Sequence, residues 1–201
     1  MTDMLLGMAH IVLFHHVLGL TPGIHQLAAS FAAPDHEVST PDLFEGRTFS
    51  DIESGLQYVN ALGDEALLGR AERACAQMSA DVVYAGLSLG VVAAQHLLTN
   101  HPGARGALLI NGFIDPSTMP GTWPEGCPVG VFAMRDDPVF VGDGDLDAAQ
   151  RSARTHPGTK IHLYPGTGHL FVEPTLGDYD PDATQSLVAD ATGLVNRRMA
   201  S

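Results

Sequence analysis

Residues 81–90 read Asp81-Val82-Val83-Tyr84-Ala85-Gly86-Leu87-Ser88-Leu89-Gly90, and the reading of this stretch decides the fold. The apolar run at 81–85 fits a buried strand, and the segment 89–99 that follows has helical period. Between them stands G-x-S-x-G, a serine on a turn so tight that its backbone is strained. Glycines two residues before and after Ser88 remove the Cβ atoms that would strike the neighbouring strand and helix. The helix start beside Ser88 also favours developing negative charge. With 22 glycines in the chain the pattern alone could arise by chance, so its placement between strand and helix carries the reading.

Outward from this stretch the same alternation continues. Strands are expected at 10–15, 36–40, 81–85, 107–110, 129–134 and 160–164, and helices at 23–32, 51–62, 64–78, 89–99, 145–155 and 182–197. Several strands are apolar on consecutive positions, as when helices cover both faces of a mainly parallel sheet. No linker, repeat or insertion long enough for a lid interrupts them, so 1–201 reads as one α/β domain. Two long loops rich in glycine and proline, 111–128 and 165–181, follow strands and are expected on the carboxyl edge, where open α/β sheets bind ligands.

Composition sets the outer limits. Hydrophobic residues at 45% and charged residues at 16% are the balance of a folded chain. A net charge of −13, with Lys160 the sole lysine, argues against nucleic acid and anionic membranes as partners. Cys75 and Cys127 make no disulfide framework; one reads as a helix-face core residue and the other as a loop residue. The opening residues lack a basic leader pattern, and their apolar stretch is too short to span a bilayer, so a cytoplasmic protein is expected. Nothing matches a dinucleotide or phosphate-binding loop, and the 10 histidines lack zinc-ligand spacing; no cofactor or metal is expected.

A serine hydroxyl needs a base, and the base needs an orienting carboxylate. In chain order these should follow Ser88 on loops after later strands. His169 is the histidine on the loop after the last strand, whereas His156 and His162 precede or lie within that strand. For the acid, Asp137 precedes Pro138, where a turn would aim it; Asp136 is the nearest alternative, with Asp143 and Asp145 further off. An oxyanion would be received by the backbone N–H of Leu89 and of a residue in the turn 15–20, for which Val17 is chosen.

At this point the residues resemble the dienelactone hydrolase family. The resemblance runs through His16-Val17-Leu18-Gly19-Leu20, Thr40-Pro41-Asp42-Leu43-Phe44-Glu45-Gly46-Arg47-Thr48-Phe49, the Ser88 turn and Tyr164-Pro165-Gly166-Thr167-Gly168-His169-Leu170-Phe171, almost the whole chain. It implies a lidless α/β-hydrolase with a six-strand core and gives Ser88, Asp137 and His169 the triad positions. Family members that hydrolyse dienelactone carry a cysteine nucleophile, a glutamate where His16 stands, and two arginines that hold the substrate carboxylate. Here Arg47 approximates one arginine, and 169–173 lacks the other.

The expectation is therefore cleavage of a small-molecule ester or lactone through an acyl-enzyme. A thioesterase or acyltransferase with the same triad, or a binding protein on the same fold, are the alternatives. Arg47 is read as a carboxylate clamp or as the partner of Asp42, Glu45 or Asp51. His16 lines the pocket or packs at a strand end. Trp123 walls the pocket or simply packs.

Overall fold

The computed structural model describes residues 9–32, 36–78, 81–101 and 103–199, without the side chains of 197–199. Residues 1–8, on which the leader reading partly rests, lie outside them. Strands are β1 (Ala9–Phe14), β2 (His36–Ser39), β3 (Val82–Leu87), β4 (Gly106–Ile110), β5 (Val129–Met134) and β6 (Thr159–Tyr164). Helices are α1 (Pro22–Phe31), α2 (Ile52–Leu62), α3 (Asp64–Cys75), α4 (Gly90–Asn100), α5 (Pro138–Gly142), α6 (Asp145–Thr155) and α7 (Pro181–Met199). Most ends differ by a residue or two from the sequence expectation. The five-residue α5 was not expected.

One six-stranded sheet has the order β2-β1-β3-β4-β5-β6, and every pairing is parallel. Strand residues alternate between two cores. Ile11, Leu13, Val83, Ala85 and Phe132 face α1 and α7, while Val12, Phe14, Tyr84, Leu109 and Val131 face α3, α4 and α6. Every residue of β3, β4 and β5 is buried, which explains their unbroken apolar runs.

The chain winds outward from β1 to β2, then returns past β1 to lay down β3. This reversal is a topological switch point at the carboxyl ends of β1 and β3, the kind of place where open α/β sheets bind ligands. The turn after β1 and the Ser88 turn after β3 both border it.

The expectation for the loop 111–128 holds only for its first half. Parallel strands require a connection that returns to the opposite edge of the sheet. Between β4 and β5 no α-helix does this, only an irregular segment with a 3₁₀ turn at Pro116–Thr118. Its second half therefore lies at the far edge, where Thr122 N–H donates to the Thr99 carbonyl near the end of α4. Loop 165–180 stays on the carboxyl edge, anchored by buried Leu170, Phe171 and Val172. Among the described residues no lid is inserted, and no helix is long and apolar enough to cross a membrane.

Candidate active site

The Ser88 turn has the geometry its glycines foretell. Ser88 is held at φ 50°, in the left-handed region that a non-glycine residue rarely adopts. A Cβ on Gly86 would overlap the Gly90 carbonyl, and one on Gly90 would overlap the carbonyl of Phe14. The first glycine lets the chain fold back on itself; the second lets α4 begin against the end of β1. Ser88 N–H is pinned to the Ile110 carbonyl at 2.7 Å, which ties the turn to β4.

Ser88 Oγ lies 2.9 Å from His169 Nε2, and His169 Nδ1 lies 2.7 Å from Asp137 Oδ2. Asp137 is fully buried, whereas Asp136 beside it is exposed. Asp137 caps α5, with Oδ1 accepting the N–H groups of Val139 and Phe140 at 2.9 and 3.3 Å. Burial pushes its pKa up, but the hydrogen bond and charge of His169 and the two N–H groups outweigh this, and the carboxyl sits below its ordinary range. His169 itself is fixed through its main chain, whose N–H donates to Asp178 at 3.2 Å.

Asn111 joins this group without having been anticipated. It is buried at φ 54° just past β4 and donates from Nδ2 to Asp137 Oδ2 at 3.4 Å. The sequence signal was Asn111-Gly112 after an apolar strand, since asparagine tolerates the left-handed region best after glycine.

A cleft of about 160 Å³ opens at Ser88 and His169. Its walls are largely apolar (Val91, Val92, Phe113, Ile114 and Val139), and the carboxylates that line it are Asp143 and Asp145. Asp145 accepts Phe113 N–H at 2.9 Å. Burial raises its pKa; the Phe113 bond opposes this, and the charge of Asp143 adds to it. A larger open concavity of about 910 Å³ lies over α3 and the end of α2, but contains neither Ser88 nor His169.

Three residues assigned to substrate by sequence do not line this cleft. Trp123 lies on the far half of loop 111–128, its ring 5.3 Å from His156 and 5.9 Å from Phe113. Arg47 is exposed and extends over the Tyr58 ring at 5.5 Å; its main chain runs beside Gly19, but it does not line the cleft, and among the described residues its guanidinium pairs with no acid. His16 is fully buried, with Nε2 3.0 Å from Glu173.

Leu89 and Val17, expected from the sequence as backbone donors, lie at the start of α4 and in the turn after β1. Leu89 precedes α4, and the turn carrying Val17 abuts the elbow, since Gly90 lies against the Phe14 and His15 carbonyls. Among the described residues, neither the Val17 nor the Leu89 N–H makes an internal hydrogen bond.

Sheet order, switch point and strand–turn–helix at Ser88 together define an α/β-hydrolase. The chain belongs to the dienelactone hydrolase family, which it matches over residues 7–198. Solved structures of similar fold include a dienelactone hydrolase-like promiscuous phosphotriesterase from metagenomic libraries, with TM-score 0.76 and 19% identity over 94% of this chain and 86% of the other. The dienelactone hydrolase of Anabaena variabilis has TM-score 0.67 and 17% identity over 93% and 85%. Esterase PE8 has TM-score 0.64 and 16% identity over 94% and 93%. No curated protein matches the chain by sequence.

Proposed function

We propose that the protein hydrolyses carboxylic esters or lactones by a Ser88–His169–Asp137 triad through an acyl-enzyme. The observation that carries this is the unbroken chain from Ser88 Oγ through His169 to Asp137, at 2.9 and 2.7 Å. His169 Nε2 takes the Ser88 proton as Oγ attacks the carbonyl carbon. Asp137 holds the imidazole in the tautomer with the proton on Nδ1 and stabilises its charged form. The oxyanion is received by the N–H groups of Leu89 and Val17, each contributing roughly 3–4 kcal/mol to the transition state. Collapse of the tetrahedral species breaks the C–O bond, and His169 gives its proton to the leaving alkoxide. A water, deprotonated by His169, then attacks the acyl carbon and returns Ser88 to its hydroxyl form.

The lining of the cleft refines the substrate. Apolar walls suit a small acyl group, and Asp143 with Asp145 would repel a carboxylate. With Arg47 turned onto Tyr58, no cation offsets that repulsion among the lining residues. Esters without a negative charge near the scissile bond are therefore the favoured class. Turnover of p-nitrophenyl acetate and a panel of lactones by the wild type, abolished in Ser88→Ala, is the expected result. Equal turnover by both proteins would contradict the proposal.

A further inference from the structure

The turn after β1 is held by two adjacent, fully buried histidines, and all four ring nitrogens are engaged. His15 Nε2 faces Leu43 N–H at 3.0 Å, and a main-chain N–H can only donate. The proton of His15 is thereby assigned to Nδ1, which donates to the His16 carbonyl at 2.8 Å. His16 is the reverse: Nδ1 accepts Leu18 N–H at 3.2 Å, and Nε2 donates to the Glu173 carboxylate at 3.0 Å. Both rings are neutral in this arrangement, in opposite tautomers.

The His16 carbonyl also accepts Gly19 N–H at 3.1 Å, so two donors fix its direction. In a trans peptide the C=O and N–H point opposite ways, and none of the described peptides is cis. Orienting the carbonyl of His16 therefore orients the N–H of Val17, which makes no internal hydrogen bond among the described residues. We propose that His15 is a positioning residue of the oxyanion hole: its Nδ1–H holds the 16–17 peptide so that Val17 N–H faces the carbonyl oxygen of an ester at Ser88. Glu173, through His16, braces the same turn from the loop that bears His169. This inference rests on the proposed role of Val17 as oxyanion donor.

Two isosteric substitutions separate positioning from bulk stability. Asparagine places a donor where Nδ1 stands, and glutamine places an acceptor where Nε2 stands. Both lose the ring and its edge contact with Phe44. With p-nitrophenyl acetate, His15→Gln should lower kcat about 100-fold and leave KM within about threefold, because a transition-state donor is mis-aimed. His15→Asn should keep kcat within about fivefold of wild type, although it orphans Leu43 N–H and melts earlier. Equal kcat values in the two variants, or losses that follow Tm, would overturn the inference. Nitrogen-15 NMR of the wild type reads the tautomers without any substitution: His15 protonated at Nδ1 supports the inference, and His15 protonated at Nε2 overturns it. A wild type that neither turns over the ester nor reacts with a fluorophosphonate would instead defeat the parent proposal.

Discussion

Two histidine–carboxylate pairs stand near Ser88, built from the same chemistry and fitted for opposite uses. His169 meets Asp137 at 2.7 Å, and His16 meets Glu173 at 3.0 Å. Glu173 lies only four residues after His169, on the same loop. The difference is the second ring nitrogen. In His169 it faces the Ser88 hydroxyl at the mouth of a cleft, and the ring keeps 13% of its surface exposed. In His16 it is occupied by Leu18 N–H and the ring is sealed. Glu173 is itself closed off: burial pushes its pKa up, but hydrogen bonds from His16, Thr21 and Thr175 bring it down to about 2. A histidine–carboxylate pair thus reads as reactive only where the imidazole keeps a nitrogen for a nucleophile; otherwise it is a strut.

The sharpest way to break this contrast is to neutralise each acid in turn. Asp137→Asn should lower kcat for p-nitrophenyl acetate about 10³–10⁴-fold, because His169 loses its orienting acceptor. A loss of less than tenfold would remove the distinction between the pairs.

Acid should undo the strut as well. Burial lowers His15 from 6.5 to about 4, so the unfolded chain binds the proton first as pH falls. Stability therefore declines between pH 6.5 and 4, by up to about 3 kcal/mol, as the unfolded state gains protons that the native state refuses. Glu173 acts in the same direction at lower pH: its contribution is present above its unfolded value of 4.5 and is lost as pH falls towards about 2. Urea midpoints should stay nearly level from pH 7.5 to about 6.5 and fall from there to pH 4.5, and a flat profile throughout would refute the buried neutral His15.

Glu173→Gln should cost about 2 kcal/mol, the scale of hydrogen bonds to a buried carboxylate, while kcat at the pH of full stability changes less than tenfold. Urea denaturation and steady-state rates on one preparation check both halves. The smallest effect concerns the cleft. Asp145→Asn should raise kcat/KM for an anionic ester, such as the p-nitrophenyl monoester of a dicarboxylic acid, about fivefold relative to a neutral one, since one repelling charge near Ser88 is gone. An unchanged ratio would clear Asp145 of any part in selection.

Much of this was legible along the chain because it is local. The elbow is a run of five residues in which Gly86 is demanded by the Gly90 carbonyl of the same turn, and Gly90 by the end of β1 against which α4 starts. Strands β3 to β5 declared themselves because both faces are buried. The helix α5 had its own signal in Asp137-Pro138, a capping acid followed by proline at the first helical position, a pair that fits a simple turn equally well. What the sequence left open depends on distant partners. Arg47 could be placed only once Tyr58 was known to lie under it, and Trp123 only once loop 111–128 was seen to cross to the far edge. Glu173 carried a weak signal as a lone acid after Leu170-Phe171-Val172, but its partner stands 157 residues earlier.

The central claim is that Ser88 is the nucleophile, and covalent capture tests it most directly. After incubation with a fluorophosphonate, intact mass spectrometry should find one adduct per chain, and peptide mapping should place it on Ser88. His169→Ala should slow the labelling severely, and Ser88→Ala should abolish it. An unlabelled wild type that is otherwise folded, or an adduct on any other residue, would contradict the account.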